Sequence, residues 1–439
     1  MKQEGCLSVR DVIAIVVGIV IGVGIFKTPS LVAANAGGPG LLILIWILGG
    51  LISLNGSLCY AELATAYPHP GGDYHYMTRA FGKKVAFLFA WARMTVIQSG
   101  SIAMLAFIFG DYLTGLLPVG SSASPVFAAI AVSCLTAINL IGMRQGKTTQ
   151  TVLTIAKVLG LLAVIIPGIL YTQGIEPAPP GPPSGNLLGL AMIFVLLTYG
   201  GWNEAAYVSA DLKHVRRGMV PALLWSLAII TSVYVLANLA FLRVLGLPGM
   251  SASEHVAADL AGRLFGQSGA RLLSLLICVS ALGSINGSIV TGARTNLALG
   301  MDQPMFHALA RWRETTATPP NALLVQCAIS LALILFGAFT RQGFVSMVEY
   351  TAPVFWGFFF LGALSLIVLR VREPAVERPF PVPLYPFTPI LFCATCLYML
   401  RASLAYTGKG ALVGLAVLFS GLIFILLDYL RLSREGRSR

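Results

Sequence analysis

Charge is what this chain has least of. Of its 439 residues only 10% are Asp, Glu, Lys or Arg, where a soluble domain carries about a quarter. So sparse a supply of solvated side chains excludes both an ordinary soluble domain and a disordered one. Histidine is scarcer still. His69, His75, His214, His255 and His307 are the five present, and none has metal-ligand spacing such as H-E-x-x-H. No metal site is expected, and without a catalytic cluster no membrane enzyme either. The seven cysteines, Cys6, Cys59, Cys134, Cys278, Cys327, Cys393 and Cys396, lie mostly in apolar runs and form no disulfide framework. Cys393 and Cys396 make a C-x-x-C without redox or zinc context and read as small apolar residues. "GKT" at 146–148 fails as a phosphate loop because Ile141 stands where that motif requires glycine. No cofactor is expected. Asn55-Gly-Ser57 and Asn286-Gly-Ser288 match the glycosylation pattern inside apolar runs, where they are chance matches.

What is present is apolar. Hydrophobic residues make up 57% of the chain, and the mean hydropathy is +0.83. A helix needs roughly 20 apolar residues to cross a bilayer. Runs of that kind predict twelve spans, at 9–34, 40–66, 84–117, 124–143, 150–172, 186–209, 217–245, 269–298, 320–339, 343–370, 384–404 and 409–430. The chain reads as one all-α integral membrane domain over 1–439, with the lipid bilayer as its solvent.

Basic residues concentrate on the cytoplasmic side of membrane proteins. With the N-terminus inside, the tails and the loops after even-numbered spans hold 20 of the 29 Lys and Arg, among them Arg79, Lys83, Lys84, Lys213, Arg216, Arg217, Arg311, Arg313, Arg370, Arg372 and Arg378. Lys27, Arg263, Arg271, Arg341, Arg401 and Lys409 fall outside, while Arg93, Lys157 and Arg243 lie within spans. Both termini are therefore expected to be cytoplasmic. The same bias accounts for the net charge of +12 without a nucleic-acid partner. Lys2 and Arg10, an apolar run and "ANA" at 34–36 have the outline of a signal peptide. That run is long, broken by glycine and interrupted by Lys27, so the first span is expected to be retained.

Polar and irregular features inside spans mark function. "GIVIGVGIF" at 18–26 places Gly22-Val23-Gly24 in the middle of the first span, and Tyr199-Gly200-Gly201 interrupts the sixth. Two glycine-broken spans in corresponding positions are the sequence pointer to inverted-repeat transporters. Repeat one then covers about 9–172, repeat two about 186–370, and appended helices about 384–430, with the proline-rich "PAPPGPP" at 177–183 as a stiff external linker. Glycine lets the backbone leave helical geometry, freeing amides at one half-helix and carbonyls at the end of the other. Amides attract an anion and carbonyls a cation, so a zwitterion satisfies both. The expected ligand is an amino acid. Its carboxylate should meet the amides of Val23, Gly24 and Ile25, and its ammonium the carbonyls of Val20, Leu197 and Thr198. The alternative is that these glycines serve only close helix packing.

"GIVIGVGIFKTPSLVA", "YAELATAYPHPGGDYHYMTRAFG" at 60–82, "YGGWNEAAYVSADLKH" at 199–214 and "GSINGSIVTGAR" at 283–294 resemble the amino acid–polyamine–organocation superfamily, and within it the L-type amino acid transporters and their bacterial relatives. The resemblance covers nearly the whole chain. It implies the LeuT-type fold, with two inverted five-helix repeats, discontinuous first and sixth helices, and alternating access. Carried over residue by residue, the carboxylate-binding part of the first span is Gly22, Val23 and Gly24, and the sixth-span segment is Leu197, Thr198 and Gly200, with Trp202 and Asn203 behind; Val20, Ile21 and Ile25 complete the expected site. Val23 departs from the serine often found there. Leu197 replaces the aromatic gate of large-neutral transporters, which argues against bulky aromatic substrates.

The resemblance also puts Lys157 where sodium-coupled relatives hold an ion, bridging spans 1 and 8. That makes Lys157 a surrogate for the coupling ion and the transporter sodium-independent, with the lysine either a fixed charge or a proton carrier. Arg93 is expected to reach the cytoplasmic interface as a structural residue, and Glu62 to tie an internal loop. Glu204 is the gating candidate, pairing with an internal basic residue, or else the counter-charge of a cationic substrate. Light subunits of heteromeric relatives carry a cysteine between spans 3 and 4. "LPVGSSASP" at 117–125 has none, so no disulfide-linked heavy subunit is expected. The resulting expectation is a sodium-independent neutral amino acid transporter of the cytoplasmic inner membrane, working by exchange or proton symport. The alternatives are a cationic amino acid or polyamine transporter of the same fold, and a channel or sensor.

Overall fold

The computed structural model describes residues 8–69, 71–117, 120, 123–141, 146–171, 188–207, 209, 212–316, 318–339, 343–406 and 409–437. The side chains of 146–157, 406, 409 and 428–437 lie outside that description, as do Cys6, the linker at 177–183 and part of the loop at 117–125. Lys157 belongs to a helix, but its side chain is among those left out.

The described residues are almost wholly helical. Helix α1 (Val9–Val20) starts at a capping box, in which Asp11 N donates to Ser8 Oγ and Ser8 N donates back to Asp11 Oδ2. Helix α2 (Gly24–Asn35) continues it at an angle of 51°, so that the pair forms one broken span. Next come α3 (Pro39–Ala66), the short α4 (Asp73–Phe81), α5 (Lys83–Ala92), a π-turn (Arg93–Ile97), α6 (Gln98–Leu116) and α7 (Ser124–Ile141). Helices α8 (Gly146–Leu170) and α9 (Leu188–Thr198) lead into a 3-10 turn (Trp202–Ala206). The remaining helices are α10 (Val215–Ala252), α11 (Val256–Asp302), α12 (Pro320–Ala338), α13 (Gly343–Arg372), α14 (Phe387–Tyr406) and α15 (Lys409–Arg437).

Among the described residues nine helical stretches are long and apolar enough to cross a membrane, and the α1–α2 pair makes ten. The two other expected spans are α8, whose first part lies outside the described side chains, and α9, which has 11 residues. In the sixth expected span the continuation after the break differs from expectation. Beyond α9 the chain enters the 3-10 turn at 202–206 rather than a second α-helical half. Gly201, at φ 111, stands in the left-handed region at the start of that turn, a conformation that stops an α-helix and favours glycine.

Helix α3 packs closely against the sixth span and α10. A Cβ at Gly49 would sit 2.4 Å from Val195 Cγ1 on α9, and one at Gly50 2.4 Å from Thr231 Oγ1 on α10. That closeness lets Trp46, Tyr199 and Tyr234 pack as one buried aromatic cluster. Its ring centroids are 6.2 Å (Trp46–Tyr199), 5.6 Å (Trp46–Tyr234) and 5.0 Å (Tyr199–Tyr234) apart.

Candidate functional site: two broken spans side by side

The first break is a tight reversal. Gly22 N donates to the Val20 carbonyl at 2.6 Å, and Ile21 between them has φ −71 and ψ 72, the geometry of an inverse γ-turn. Helix α2 then begins with no side-chain cap. Phe26 N donates to the Val23 carbonyl at 3.1 Å. Among the described residues the amides of Val23, Gly24 and Ile25 have no acceptor, as expected for donors at a helix start. Val23 and Ile25 are fully buried and Ile21 nearly so.

The second break lies against the first. A Cβ at Gly24 would meet Thr198 Cγ2 at 3.3 Å and Oγ1 at 3.5 Å, and one at Gly201 would press on Ile19 Cγ2 at 2.8 Å. Thr198 Oγ1 stands 2.7 Å from Thr28 Oγ1 on α2 and 2.7 Å from the Phe194 carbonyl. Val20, Ile21, Gly22, Val23, Gly24, Ile25, Leu197, Thr198 and Gly200 thus belong to one neighbourhood. Asn203 follows on the 3-10 turn, buried, while Trp202 packs edge-on against Tyr60 and Phe359.

The three carbonyls assigned to an ammonium are partly occupied. Val20 O accepts from Gly22 N and from the Tyr234 hydroxyl at 2.6 Å, and Thr198 O lies 3.0 Å from the same hydroxyl. Leu197 O accepts from Gly200 N at 3.0 Å. A phenol has one proton, so Tyr234 serves one of its two carbonyls at a time. Sequence reasoning had not picked out Tyr234 or Thr28. A tyrosine within the apolar run "TSVYVLANL" was the available signal.

At one end of the breaks Lys27 Nζ stands 3.4 Å from Asp111 Oδ2, and the Tyr112 hydroxyl donates to Phe26 O at 2.7 Å. At the other end Arg93 does not reach an interface. It is 4% exposed and donates to both oxygens of Glu204, at 2.9 and 3.1 Å. It also donates to the Tyr207 hydroxyl at 3.1 Å, with the guanidinium 4.5 Å from that ring's centroid. Glu204 and Tyr207 hold it there, at the start of the π-turn (Arg93–Ile97), a deviation frequent at functional sites. Its freed Thr95 carbonyl accepts from Tyr350 at 3.0 Å. Glu62 binds Arg370 through both oxygens, at 2.7 and 2.5 Å, and accepts from Val382 N at 2.6 Å, pinning the segment between α13 and α14. Among the described residues no group of His, Cys, Asp and Glu could hold a metal.

The family model described as amino acid permease matches residues 7–427. The chain belongs to the amino acid permease family. It is 30% identical to the serine/threonine exchanger SteT of Bacillus subtilis, over 95% of each chain. To the rabbit (Oryctolagus cuniculus) large neutral amino acids transporter small subunit 2 it is 32% identical, over 96% of this chain and 79% of the relative. To the mouse b(0,+)-type amino acid transporter 1 it is 29% identical, over 97% of this chain and 88% of the relative. This permease is a multi-pass membrane transporter of amino acids, similar to the L-type branch of its superfamily, and not an enzyme.

Proposed function

We propose that this permease carries neutral L-amino acids by alternating access, independently of sodium, by exchange or proton symport. The observation that carries the reading is the apposition of the two breaks, with the unaccepted amides of α2 facing the end of α9. A carboxylate at Val23, Gly24 and Ile25 satisfies those amides and the positive end of the α2 dipole. The ammonium goes to the carbonyls of Leu197, Thr198 and Val20, taking the place of the Tyr234 hydroxyl. Lys157 stands in for the coupling ion. Arg93 and Glu204 form the inner gate. The fold is taken as two inverted five-helix repeats with two appended helices, both termini cytoplasmic, in the inner membrane and without a disulfide-linked heavy subunit.

The pairing of Glu204 argues against a cationic amino acid or polyamine, because a carboxylate already bound by Arg93 is not a free counter-charge. The serine/threonine exchanger among the relatives, and Leu197 in place of an aromatic gate, favour small neutral substrates.

The test is uptake of a panel of labelled neutral amino acids into liposomes holding the purified protein, without sodium, at two pH values, with and without internal amino acid. Saturable uptake that requires internal amino acid establishes exchange. Uptake into empty liposomes driven by an inward proton gradient establishes symport. No neutral uptake, or conductance without saturation, rejects the reading.

A further inference from the structure

The gate at Arg93 holds one carboxylate too many. Asp73, the first residue of α4, is 3% exposed, and its Oδ2 accepts from the Tyr207 hydroxyl at 3.2 Å. Tyr207 in turn accepts from Arg93. Glu204 and Asp73 therefore approach one guanidinium, the first directly and the second through a phenol. The other groups facing Asp73 are Tyr60 from α3 and Tyr76 from α4 itself, while α13 presents Gly362, where a Cβ would be 3.7 Å from Asp73 Oδ1. None of these brings a second cation. Three buried atoms in the cluster lack a hydrogen-bond partner: Arg93 Nε, Asp73 Oδ1 and the Tyr76 hydroxyl. The Tyr60 hydroxyl also stands beside the Asp73 carboxyl.

A buried cluster with one positive and two negative charges carries an uncompensated charge, which is costly away from water. A proton on one carboxyl removes it. Glu204 has the direct bidentate pair and keeps its charge; Asp73 has only phenols. We propose that Asp73 binds a proton in the closed state, and that its loss frees Asp73 to compete for Arg93 and loosens the Arg93–Glu204 gate. This rests on the reading of that pair as the inner gate. Burial supports it by pushing the Asp73 carboxyl up from 3.8 to about 6. A carboxyl raised in this way stabilises the closed gate while it keeps its proton, so the gate is firmest below the ordinary carboxylate range and weakens as pH rises through about 6. Asp73 gives the inner end a pH response separate from any role of Lys157.

The test needs no substrate. Ser209 lies beyond the 3-10 turn, fully buried, and in a chain with its native cysteines replaced, Ser209→Cys reports opening by its rate of reaction with a maleimide. Dividing the rate with Asp73 by the rate with Asp73→Asn at each pH cancels the thiol's own pH dependence. The expected ratio is about 1 at pH 5 and rises at least fivefold by pH 8. A flat ratio overturns the proposal. Tyr207→Phe removes a hydrogen bond to the charged carboxylate and should move the midpoint of the rise to higher pH, whereas a purely structural tyrosine would alter rates without moving it. An unmoved midpoint also overturns it. Should Asp73→Asn fail to fold, the rate with Tyr207→Phe is divided by the rate with Tyr207 at each pH, which also cancels the thiol's own dependence; that ratio should dip between the two midpoints, and a flat one overturns the proposal. Because no amino acid is involved, failure here leaves the transport reading standing, and absent uptake leaves this result intact.

Discussion

Substituting Gly24 tests the binding site most directly. A Cβ there would lie 3.3 Å from Thr198 Cγ2, so Gly24→Ala requires Thr198 to retreat by a few tenths of an ångström. Thr198 is not free to do so. Its hydroxyl lies 2.7 Å from both Thr28 Oγ1 and the Phe194 carbonyl, and each such bond contributes about 1 kcal/mol net. Straining both costs up to about 2 kcal/mol of stability, read as a lower melting temperature. Gly24→Leu adds three further carbons in front of the amides of Gly24 and Ile25, where a carboxylate must approach, and should abolish binding. The assay is saturable uptake in liposomes, with size-exclusion chromatography and thermal melting to show that each variant is folded. A folded Gly24→Leu protein with normal uptake would refute the placement of the carboxylate at this break.

Glu204→Gln keeps the shape of the gate but strips Arg93 of its direct charge partner. Breaking a buried pair costs about 3–5 kcal/mol, with the low end expected because Glu204 is 21% exposed; inner-side labelling should rise about 100-fold, and an unchanged rate would remove the gate. Glu62→Gln leaves Arg370 and Arg378 without their buried carboxylate and should destabilise the protein by about 3 kcal/mol, read as a lower melting temperature. Replacing sodium by choline should leave uptake unchanged, whereas Lys157→Ala should impair uptake or its pH dependence. Normal uptake by that variant at every pH would make the lysine a bystander.

The breaks were legible because glycine in an apolar run is a local signal, and Gly22-Val23-Gly24 and Gly200-Gly201 fall where the helices stop. Their apposition was not written locally. It is made by direct contacts between residues far apart in the chain, Gly24 against Thr198 and Ile19 against Gly201. The membrane class followed from composition alone, and the family from four ordered motifs. What the sequence concealed was mostly hydrogen bonding across distant helices. Tyr234 reads as one more bulky residue in α10 until its hydroxyl is found between two carbonyls. Arg93 was expected to extend toward an interface because nine positions separate it from Lys84. A helical rise cannot reveal that the backbone changes register at that residue and that Glu204 waits opposite. The 3-10 turn after Gly201 was equally hidden, since "WNEAA" has no composition distinct from a short α-helix.

The π-turn at 93–97 amounts to a residue that the helix between Lys83 and Leu116 took in without lengthening by a regular step. One helical wheel therefore does not describe that span: the faces before Arg93 and after Ile97 are offset by about 100°, the angle one residue subtends at 3.6 per turn. Deleting a single position within the turn would let an α-helix close through it, swinging one side of the span relative to the other. Either Arg93 would leave Glu204 or Gln98 would leave Ser288, to which it donates at 2.9 Å. Comparison of this span between relatives thus has to settle first whether each chain carries the extra residue, because a gapless match across 93–97 would equate side chains that point in different directions.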